Sequence, residues 1–545
     1  MKKIYILISI LIGLTLQNCD FLDEESYGPT VDVFKTEEGS EALVNLLYKK
    51  INVYGGTYSL ADISENGADT WLRAKYTRAS LLVDYNGLTP SENSITWLWE
   101  HFYKAVWNTN LFLESYSTMK YEDEDVKKMR KAEVLTLQSL YLFWITNTWG
   151  DVYLPKSTDM NEGLYATRSS VEDFYQKMIS NLKEAIPDLP PTTNEQGRVN
   201  QAVAKALLAR IYLYHGDWKE AAEMADDVIT NYGYELEPSW KDLWDESKKI
   251  NKEFIWTVEF TRDKAFGGGG SWYWQAFCMD FDRFPGIKPE LNYTGYGIGT
   301  DICQFLPTKY YISLFDKKAD LRWEQGHQCV YLYNDASENV SGTFPDMKTI
   351  HKDTALLLYP DKLTSAERNY AKTRFTVFDI DDLYDAATGV PKDRGTFISL
   401  TKFFDNTRTS ATDNISSRNY PVLRLAEMYL IAAEANIMQS KKDVALPYIT
   451  DLRKRAIAPG YENAMKVTSD DMTLDFILEE RGRELGGEHQ RWFDLKRTGK
   501  LLEHVRAYNP DAGPYIKEFH LKRPIPQKQL DGMPDPSTLG QNDQY

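Results

Sequence analysis

The sequence predicts a mainly α-helical protein whose helical pairs carry an irregular insertion of loops and short strands. Residues 40–54, 94–118 and 124–148 have apolar side chains at intervals of three and four, as one face of a helix requires. A further amphipathic helix is predicted over residues 171–189, before two prolines. From residue 240 to residue 415 the helical period fades, and glycine, proline, aspartate and aromatic residues become frequent.

Two alanine-rich segments, one on each side of that insertion, are predicted to form pairs of antiparallel helices. The first, NQAVAKALLARIYLYHGDWKEAAEMADDVI, has a turn at Gly216 and Asp217, and the second, LRLAEMYLIAAEANIMQSKKDVALPYITDLRKRA, has a polar turn at residues 440–443. Small side chains at facing positions let two helices approach closely. The pattern resembles a tetratricopeptide unit, which buries its apolar face by stacking on neighbouring units.

The N-terminal residues are typical of an export signal followed by a lipidation site. Two lysines precede an apolar run from Ile4 to Leu16, which is too short to span a bilayer. Residues 1–18 are therefore predicted to be a signal peptide. Cys19 follows directly and is the predicted site of acylation, although the two residues before it are larger than those of a usual lipobox. Several acyl chains would anchor the protein in a membrane, and ordinary secretion is the alternative.

The acidic composition argues against nucleic acid as a partner. The chain has 63 Lys and Arg against 80 Asp and Glu, a net charge of −17, whereas affinity for nucleic acid depends on clustered basic residues. The 14 tryptophans and 35 tyrosines exceed what a core alone usually needs. Some of these rings are therefore expected to face a ligand or a partner.

The cysteines and histidines predict neither a cofactor nor a metal site. Once Cys19 is acylated, Cys278, Cys303 and Cys329 remain, which allows at most one internal disulfide. His327 and Cys329 could begin a metal site, but no second pair of ligands follows at a zinc-like spacing.

Several ordered motifs identify a family. The C-terminal block ILEERGRELGGEHQRWFDLKRTGKL is accompanied by LTLQSLYLFWITNTWGDVYLP, RLAEMYLIAAEA and the closing LKRPIPQKQLDGMPDPSTLGQNDQY. Pro307 and Thr308, followed by Asp320 and Arg322, form a further element between the outer blocks. Together these motifs closely resemble the SusD/RagB family, and they span most of the mature chain.

This resemblance implies a fold, a location and a function. Family members are surface lipoproteins that sit as lids on SusC-like TonB-dependent outer-membrane transporters and pass oligosaccharides, or in some lineages peptides, into the barrel. The implied organisation is an N-terminal helical region at 19–239, a ligand-facing insertion at 240–415 and a C-terminal signature region at 416–545. We therefore expect a glycan-binding protein at the outer membrane that faces the cell exterior and catalyses no reaction.

Three other functions stay open on the sequence: a peptide-capturing lid of the RagB type, a purely protein-binding scaffold and a surface glycosidase. Glycoside hydrolysis needs two carboxyl groups at a defined separation across the scissile bond. Glu480 and Glu484 lie one helical turn apart, with Arg481, Arg483 and Arg491 nearby. We expect these charges to pair and stabilise the helix and its neighbour, without chemistry.

Sugar rings present apolar C–H faces and hydroxyl groups, so their sites combine flat aromatic surfaces with charged or amide side chains. The first candidate group is Asp69, Trp71, Arg73 and Tyr76, joined by Asn93, Trp97 and Trp99. The second, in glycine-rich loops, is Trp272, Tyr273, Trp274, Asn292, Tyr293 and Tyr296. Trp97 and Trp99 lead into a helical pattern and are predicted to be buried, whereas Trp272 and Trp274 could contact ligand, transporter or their own loop.

Overall fold

Helices dominate the computed structural model, which describes residues 31–545 except 194, 246, 249–250, 264–268, 289–302, 335–353, 411–412 and 414. The predicted signal peptide, the lipidation site Cys19 and the candidates Asn292, Tyr293 and Tyr296 lie outside these residues. Within the described ranges, no helix is both long enough and apolar enough to cross a membrane.

The secondary structure follows the predicted order of helices, loops and short strands. The longer α-helices are α1 Glu37–Lys50, α2 Asn93–Ser115, α3 Glu124–Trp149, α4 Val171–Ala185, α5 Gln201–His215, α6 Trp218–Asn231, α7 Ser365–Lys372, α8 Leu425–Met438, α9 Lys442–Lys454, α10 Leu474–Leu485, α11 Arg491–Arg497 and α12 Leu501–Tyr508. Shorter α-helices span Val53–Gly56, Ser59–Ser64, Ser80–Asp84, Met160–Leu164, Trp240–Leu243, Lys309–Ser313, Leu321–Gly326, Ile380–Leu383 and Gln527–Asp531. The strands are β1 Trp71–Arg73, β2 Phe254–Val258, β3 Phe305–Pro307, β4 His327–Gln328, β5 Val330–Leu332, β6 Thr354–Leu358, β7 Thr376–Phe378, β8 Ser399–Leu400 and β9 Tyr420–Arg424.

Polar side chains mark where the scaffold helices begin. The Ser170 hydroxyl accepts a hydrogen bond from the backbone of Asp173, and Asp173 bonds back to Ser170, which forms a capping box at α4. At α5 a single bond serves as the cap, because the Asn200 side chain accepts from the backbone N–H of Val203. Gly216 caps the C-terminal end of α5, and its φ of 96° suits a residue without a β-carbon and confirms the predicted turn.

The predicted helical pairs form one continuous stack. α5 packs on α6 and α8 packs on α9, as expected for two tetratricopeptide-like units. α6 also packs on α8, so the two units are neighbours in space although the insertion separates them in sequence. Before them in the stack, α2 packs on α3, α3 on α4 and α4 on α5. The facing positions are alanines with no exposed surface, such as Ala206, Ala221 and Ala432, which permits this close approach.

A pair of strands, β2 and β9, joins the start of the insertion to the segment before α8. β2 and β9 pair in an antiparallel ladder in which Phe254 lies opposite Arg424 and Val258 opposite Tyr420. The first part of the insertion therefore lies beside the segment that directly follows the insertion. Within the insertion, β4 pairs with β8, and β5, β6 and β7 form a small mixed sheet, while β3 pairs with β1 of the N-terminal region. Short strands joined by loops are the structure that the sequence predicts there.

Glu484 of the C-terminal block lies at the centre of a buried ionic network. One carboxylate oxygen accepts hydrogen bonds from Arg424 at 2.7 Å and Arg455 at 2.5 Å, and the other accepts one from Arg322 at 3.0 Å. Burial alone would raise the pKa of Glu484, but the three guanidinium groups lower it to about 2. The glutamate is therefore ionised in the folded protein.

The network continues outward from these arginines, and we call it the Glu484 network. Arg424 and Arg455 both reach Glu253 beside β2, Arg322 reaches Glu480 and Asp320, and Arg424 and Lys402 share Glu488. All of these side chains are almost fully buried. The network thus connects the insertion, the end of α9 and α10. Each of its carboxylates is paired with at least one cationic side chain.

The pairing inside the signature differs in part from the prediction. Arg483 pairs with Glu480 at 2.8 Å, as the spacing suggests. Arg481 instead pairs with Asp494 at 2.6 Å, and Arg491 pairs with Asp69 from the N-terminal third. The partners differ because Arg481 and Arg491 bond to residues outside their own helices, which only folding brings close.

Replacing Glu484 by Gln should lower the free energy of unfolding by roughly 3–5 kcal/mol, because the amide leaves three buried guanidinium groups short of one negative charge. Denaturant titration at neutral pH measures the change. The matched control is Glu479→Gln on the same helix. Glu479 is half-exposed and lies 3.5 Å from Arg483, so its loss should cost less than about 1 kcal/mol. Equal losses in the two variants would contradict the central role of Glu484.

Candidate functional site

Asp69, a predicted ligand-contact residue, is instead part of the interior. It is fully buried, and its two carboxylate oxygens accept hydrogen bonds from Arg491 at 2.7 and 2.6 Å. His504 Nδ1 lies 2.8 Å from the second oxygen. Burial alone would raise the pKa of Asp69, but Arg491 and the bond to His504 lower it to about 2. Its expected role in ligand binding is therefore corrected to a structural one.

Trp71, Tyr273 and Trp274 are buried as well. Trp71 lies in β1 and its Nε1–H donates to Glu65 at 2.9 Å, whereas the Tyr273 hydroxyl donates to the Gly487 carbonyl at 2.8 Å. Trp274 is 1% exposed. Side chains with so little exposed surface cannot stack on a sugar, so the structure contradicts ligand contact for these three residues.

Arg73 and Tyr76 do reach the surface. The Arg73 side chain is exposed, and the Tyr76 ring is half-buried with the Lys75 ammonium 4.9 Å from its centroid. Neither residue lines the cleft described next. Ligand contact by Arg73 and Tyr76 stays a prediction.

A surface cleft of about 610 Å³ brings together one aromatic residue from each candidate group, Trp97 and Trp272. We call it the Trp97 cleft. Its lining residues are Gly56, Thr57, Tyr58, Ser59, Asp62, Arg78, Glu92, Asn93, Ser94, Trp97 and Trp272. Four separate segments therefore form it: residues 56–62 after α1, the loop after β1 that carries Arg78, the start of α2 and the glycine-rich loop of the insertion.

Trp97 lies on the outer face of α2, and its predicted burial is wrong. The buried stripe of this helix runs through Ile95, Leu98 and Phe102, so a residue between the first two points to the other side. Trp97 is 40% exposed, whereas Trp99 is 4% exposed as predicted. The Trp97 indole stacks on the His101 imidazole, with centroids 4.7 Å apart and planes 20° apart. The exposed ring thus has a rigid support.

Backbone contacts fix Trp272 beside the N-terminal loops. Its backbone N–H donates to the Gly55 carbonyl at 3.1 Å, and the Tyr58 hydroxyl donates to the Trp272 carbonyl at 2.9 Å. Gly55 has a φ of 80°, and a β-carbon there would lie 3.0 Å from the Tyr420 ring. A glycine is therefore required for this turn. The Trp272 side chain itself is half-buried, which leaves part of the ring open to the cleft.

Polar side chains surround the two rings. The Arg78 guanidinium lies 5.3 Å from the centroid of the Tyr58 ring, and Asn93 is exposed at the start of α2. Glu92 caps that helix by accepting a hydrogen bond from the Ser94 backbone at 3.3 Å. A cation, an amide and a carboxylate therefore face one cleft, a set that can donate and accept hydrogen bonds with hydroxyl groups.

Asp62 lies at the floor of the cleft as a nearly buried carboxyl group. Its two oxygens accept hydrogen bonds from the Ser94 hydroxyl at 2.7 Å and the Asn66 amide at 3.2 Å. Burial, together with the negative charge of Glu92, raises the pKa of Asp62 to about 7. Because both oxygens are engaged inside the protein, Asp62 orients its neighbours and offers little surface for reaction.

Asp62, Arg78, Tyr58 and Glu92 were missed by the sequence reasoning. The only signal for them was position, because they flank the aromatic candidates in short polar segments. Tyr58 bonds to the Trp272 carbonyl, 214 residues away, and Asp62 bonds to Ser94 at the start of α2, 32 residues away.

No metal centre is evident within the described ranges: no three His, Cys, Asp or Glu side chains are grouped closely enough to hold an ion. Cys278, Cys303 and Cys329 are thiols rather than a disulfide. Burial raises the pKa of the Cys303 thiol and raises that of Cys329 to about 12, so both stay protonated and unreactive at neutral pH.

Comparison with known proteins identifies the family. Residues 252–545 match the family model described as the SusD family, and residues 20–213 match the model described as starch-binding and associating with the outer membrane. The first match covers more than half of the chain. The chain belongs to the SusD family.

Relatives of this SusD-family protein match it over nearly their whole length. Two SusD-like proteins of Formosa agariphila are 23% and 25% identical to it, over 97% and 93% of each chain. A solved laminarin-binding SusD-like protein has a TM-score of 0.70, with 22% identity, and covers 94% of this chain and 100% of its own. Surface glycan-binding protein A of Bacteroides thetaiotaomicron, solved with laminarihexaose, has a TM-score of 0.67 at 20% identity, over 93% and 99% of the two chains. These similarities confirm the helical, tetratricopeptide-like fold.

Asp62→Asn should remove a pH-dependent loss of stability from this SusD-family protein. A carboxyl group whose pKa is higher in the folded state is stabilising when protonated, and that stability is lost as pH rises from about 4 through about 7. Between pH 5 and pH 7 the variant should therefore gain about 2 kcal/mol of unfolding free energy relative to the natural protein, and the difference should level off above pH 8.

Denaturant titrations across this pH range measure the difference. Asp470→Asn, which changes an exposed aspartate, serves as the reference for the loss of one surface charge. A constant difference between the natural protein and Asp62→Asn at every pH would contradict a raised pKa at Asp62.

Proposed function

We propose that this protein is a lipid-anchored, cell-surface protein that binds glycan and delivers it to a SusC-like TonB-dependent outer-membrane transporter, without catalysis. The observation that carries the proposal is the Trp97 cleft, where exposed parts of Trp97 and Trp272 lie among charged and amide side chains. Both rings are fixed by the fold, so little side-chain entropy is lost when a ligand binds.

The chemistry of the cleft suits a neutral polyhydroxyl ligand. Indole rings provide flat apolar surfaces for the C–H faces of a pyranose. Arg78, Asn93 and Glu92 provide donors and acceptors for its hydroxyl groups. The mixture of one cation, Arg78, and one partly exposed carboxylate, Glu92, gives no strong preference for a charged ligand.

The relatives support a carbohydrate as the ligand. One solved neighbour is described as laminarin binding, another was solved with laminarihexaose, and one matching family model is described as starch-binding. We infer from these descriptions that the ligand of this protein is also an oligosaccharide or polysaccharide.

A binding role agrees with the arrangement of the carboxylates. Asp62 and Glu92 both line the cleft, and a glycosidase would need two carboxyl groups that reach the scissile bond. Asp62 uses both oxygens inside the protein, and Glu92 caps α2. The carboxylates of the Glu484 network are buried among arginines. These engagements favour capture of glycan over its hydrolysis.

Delivery to a transporter and attachment to the membrane follow from the family and from the N-terminal motif. The matching model that begins at residue 20, directly after Cys19, is described as associating with the outer membrane. We infer that acyl chains on Cys19 anchor the protein in that membrane, facing the exterior, with the SusC-like transporter as its partner.

Trp97→Ala should weaken glycan binding by at least about tenfold and leave the thermal midpoint unchanged, because the exposed ring contributes stacking surface but little to the core. Calorimetry of residues 20–545 against a panel that includes laminarin and starch measures the change. The control is Tyr370→Ala, which removes an aromatic ring that is 62% exposed on α7, away from the cleft. Release of sugar from any bound glycan would contradict the non-catalytic role, and binding of peptides alone would replace glycan by peptide as the ligand.

Cys19→Ala should release the protein from the membrane fraction, since the variant lacks the thiol that receives the acyl chains. Fractionation of cells and a mass measurement of the purified protein test this. Retention of the variant in the membrane with its signal peptide removed would contradict lipid anchoring at Cys19.

A further inference from the structure

A second aromatic cleft, of about 240 Å³, lies further along α2. Four aromatic residues line it: Trp99, Tyr103, Trp107 and Tyr153. Lys104, Ser157, Asp159 and Gln529 contribute polar groups to the same lining. We call it the Trp107 cleft. It shares no lining residue with the Trp97 cleft.

The tyrosine rings of this cleft are rigidly held. The Tyr103 and Tyr153 rings are almost parallel, with planes 4° apart and centroids 6.3 Å apart, and Trp99 packs on Tyr103 with centroids 4.4 Å apart. The Tyr103 hydroxyl donates to the Tyr153 carbonyl at 2.7 Å, and the Tyr153 hydroxyl donates to Glu162 at 2.9 Å. Because both hydroxyl groups are used inside the protein, the rings offer mainly apolar surface.

Trp107 is exposed and yet fixed in orientation. It is 40% exposed, the same fraction as Trp97. Its Nε1–H donates to the Thr158 carbonyl at 3.1 Å, and the Thr158 backbone N–H donates in turn to Glu114 at 2.8 Å. A large ring that is held in one orientation with much of its surface exposed is typical of a residue that contacts a ligand.

The polar lining suits a neutral ligand. Lys104 and Asp159 contribute one charge of each sign, and Gln529 contributes an amide whose oxygen accepts from Trp99 at 3.2 Å. No cluster of like charge is present in this lining to select a phosphate or an acidic polymer. Flat rings with a mixed polar rim are the same combination as in the Trp97 cleft.

One helix, α2, contributes an exposed tryptophan to each cleft. Trp97 and Trp107 are ten residues apart on α2, which places them about 15 Å apart along the helix axis and roughly 80° apart around it. Both rings thus lie on the exposed surface of the same helix, on adjacent faces of it. A flexible ligand that extends from the first cleft around this surface meets the second.

We infer that the Trp107 cleft is a second carbohydrate subsite, which binds later units of a glycan chain whose first units occupy the Trp97 cleft. The inference rests on the proposed function. It predicts that the protein prefers long oligosaccharides, because only these span both clefts, and that occupying the second cleft raises affinity through effective concentration.

The test compares ligands of two lengths, laminaritriose with laminarihexaose and maltotriose with maltoheptaose, by calorimetry. Trp107→Ala should weaken binding of the longer ligand by about tenfold and leave binding of the trisaccharide unchanged. Trp97→Ala should weaken both. The control Tyr165→Ala removes a ring that is 62% exposed near the cleft but does not line it, and it should change neither affinity.

The outcomes separate the two proposals. Equal weakening of long and short ligands by Trp107→Ala, or no weakening of either, would overturn the second subsite while glycan binding at the Trp97 cleft remained. If Trp107→Ala weakened binding of neither ligand, a protein partner would be the alternative occupant of the Trp107 cleft. If the natural protein bound neither oligosaccharide series nor any other glycan in the panel, both proposals would fail together. Thermal midpoints, measured for all variants, should stay well above the assay temperature, so that a change in affinity reports on the cleft and not on unfolding.

Discussion

The fold depends on one buried glutamate, Glu484, and on the three arginines that neutralise it. Arg322 comes from the insertion, Arg424 from the junction of β9 and α8, and Arg455 from the end of α9. An ionised carboxylate in the interior is tolerated only when it is paired and hydrogen-bonded, so these segments have one mutual arrangement that satisfies all the charges. Hydrophobic packing alone is less directional. The network thus gives the stack and the insertion a defined register.

The helices could be predicted from the sequence because their signals are local. Residues 124–148 carry the period, and α3 extends from Glu124 to Trp149. The turn at Gly216 is equally local, since it requires a left-handed backbone. Motif resemblance then supplied the family, and periodicity supplied the stacked pairs. What neither could supply is the partner of each buried charge: Asp69 lies 422 residues before Arg491 in sequence.

The candidate site was only partly predictable for the same reason. Trp97 and Trp99 stand two residues apart in the same motif, and only the direction of the core decides which one is exposed. The sequence also does not reveal that Trp272 reaches the cleft, because Gly55 and Tyr58 fix it through its own backbone. Residue type therefore predicted the chemistry of the site well, whereas long-range contacts determined which of those residues form it.

The pairing of β2 with β9 has a consequence for the order of events in folding. In a linear array of repeats, each unit docks on its neighbour and folding spreads from any point. Here α6 meets α8 only after the whole insertion has been looped back, as in the contact between Val258 and Tyr420. Closing a loop of that length costs roughly 4–5 kcal/mol of chain entropy before the new contacts form. The two halves of the stack therefore acquire their stability together, late and cooperatively, and the protein folds slowly for a helical chain because its decisive contacts are distant in sequence.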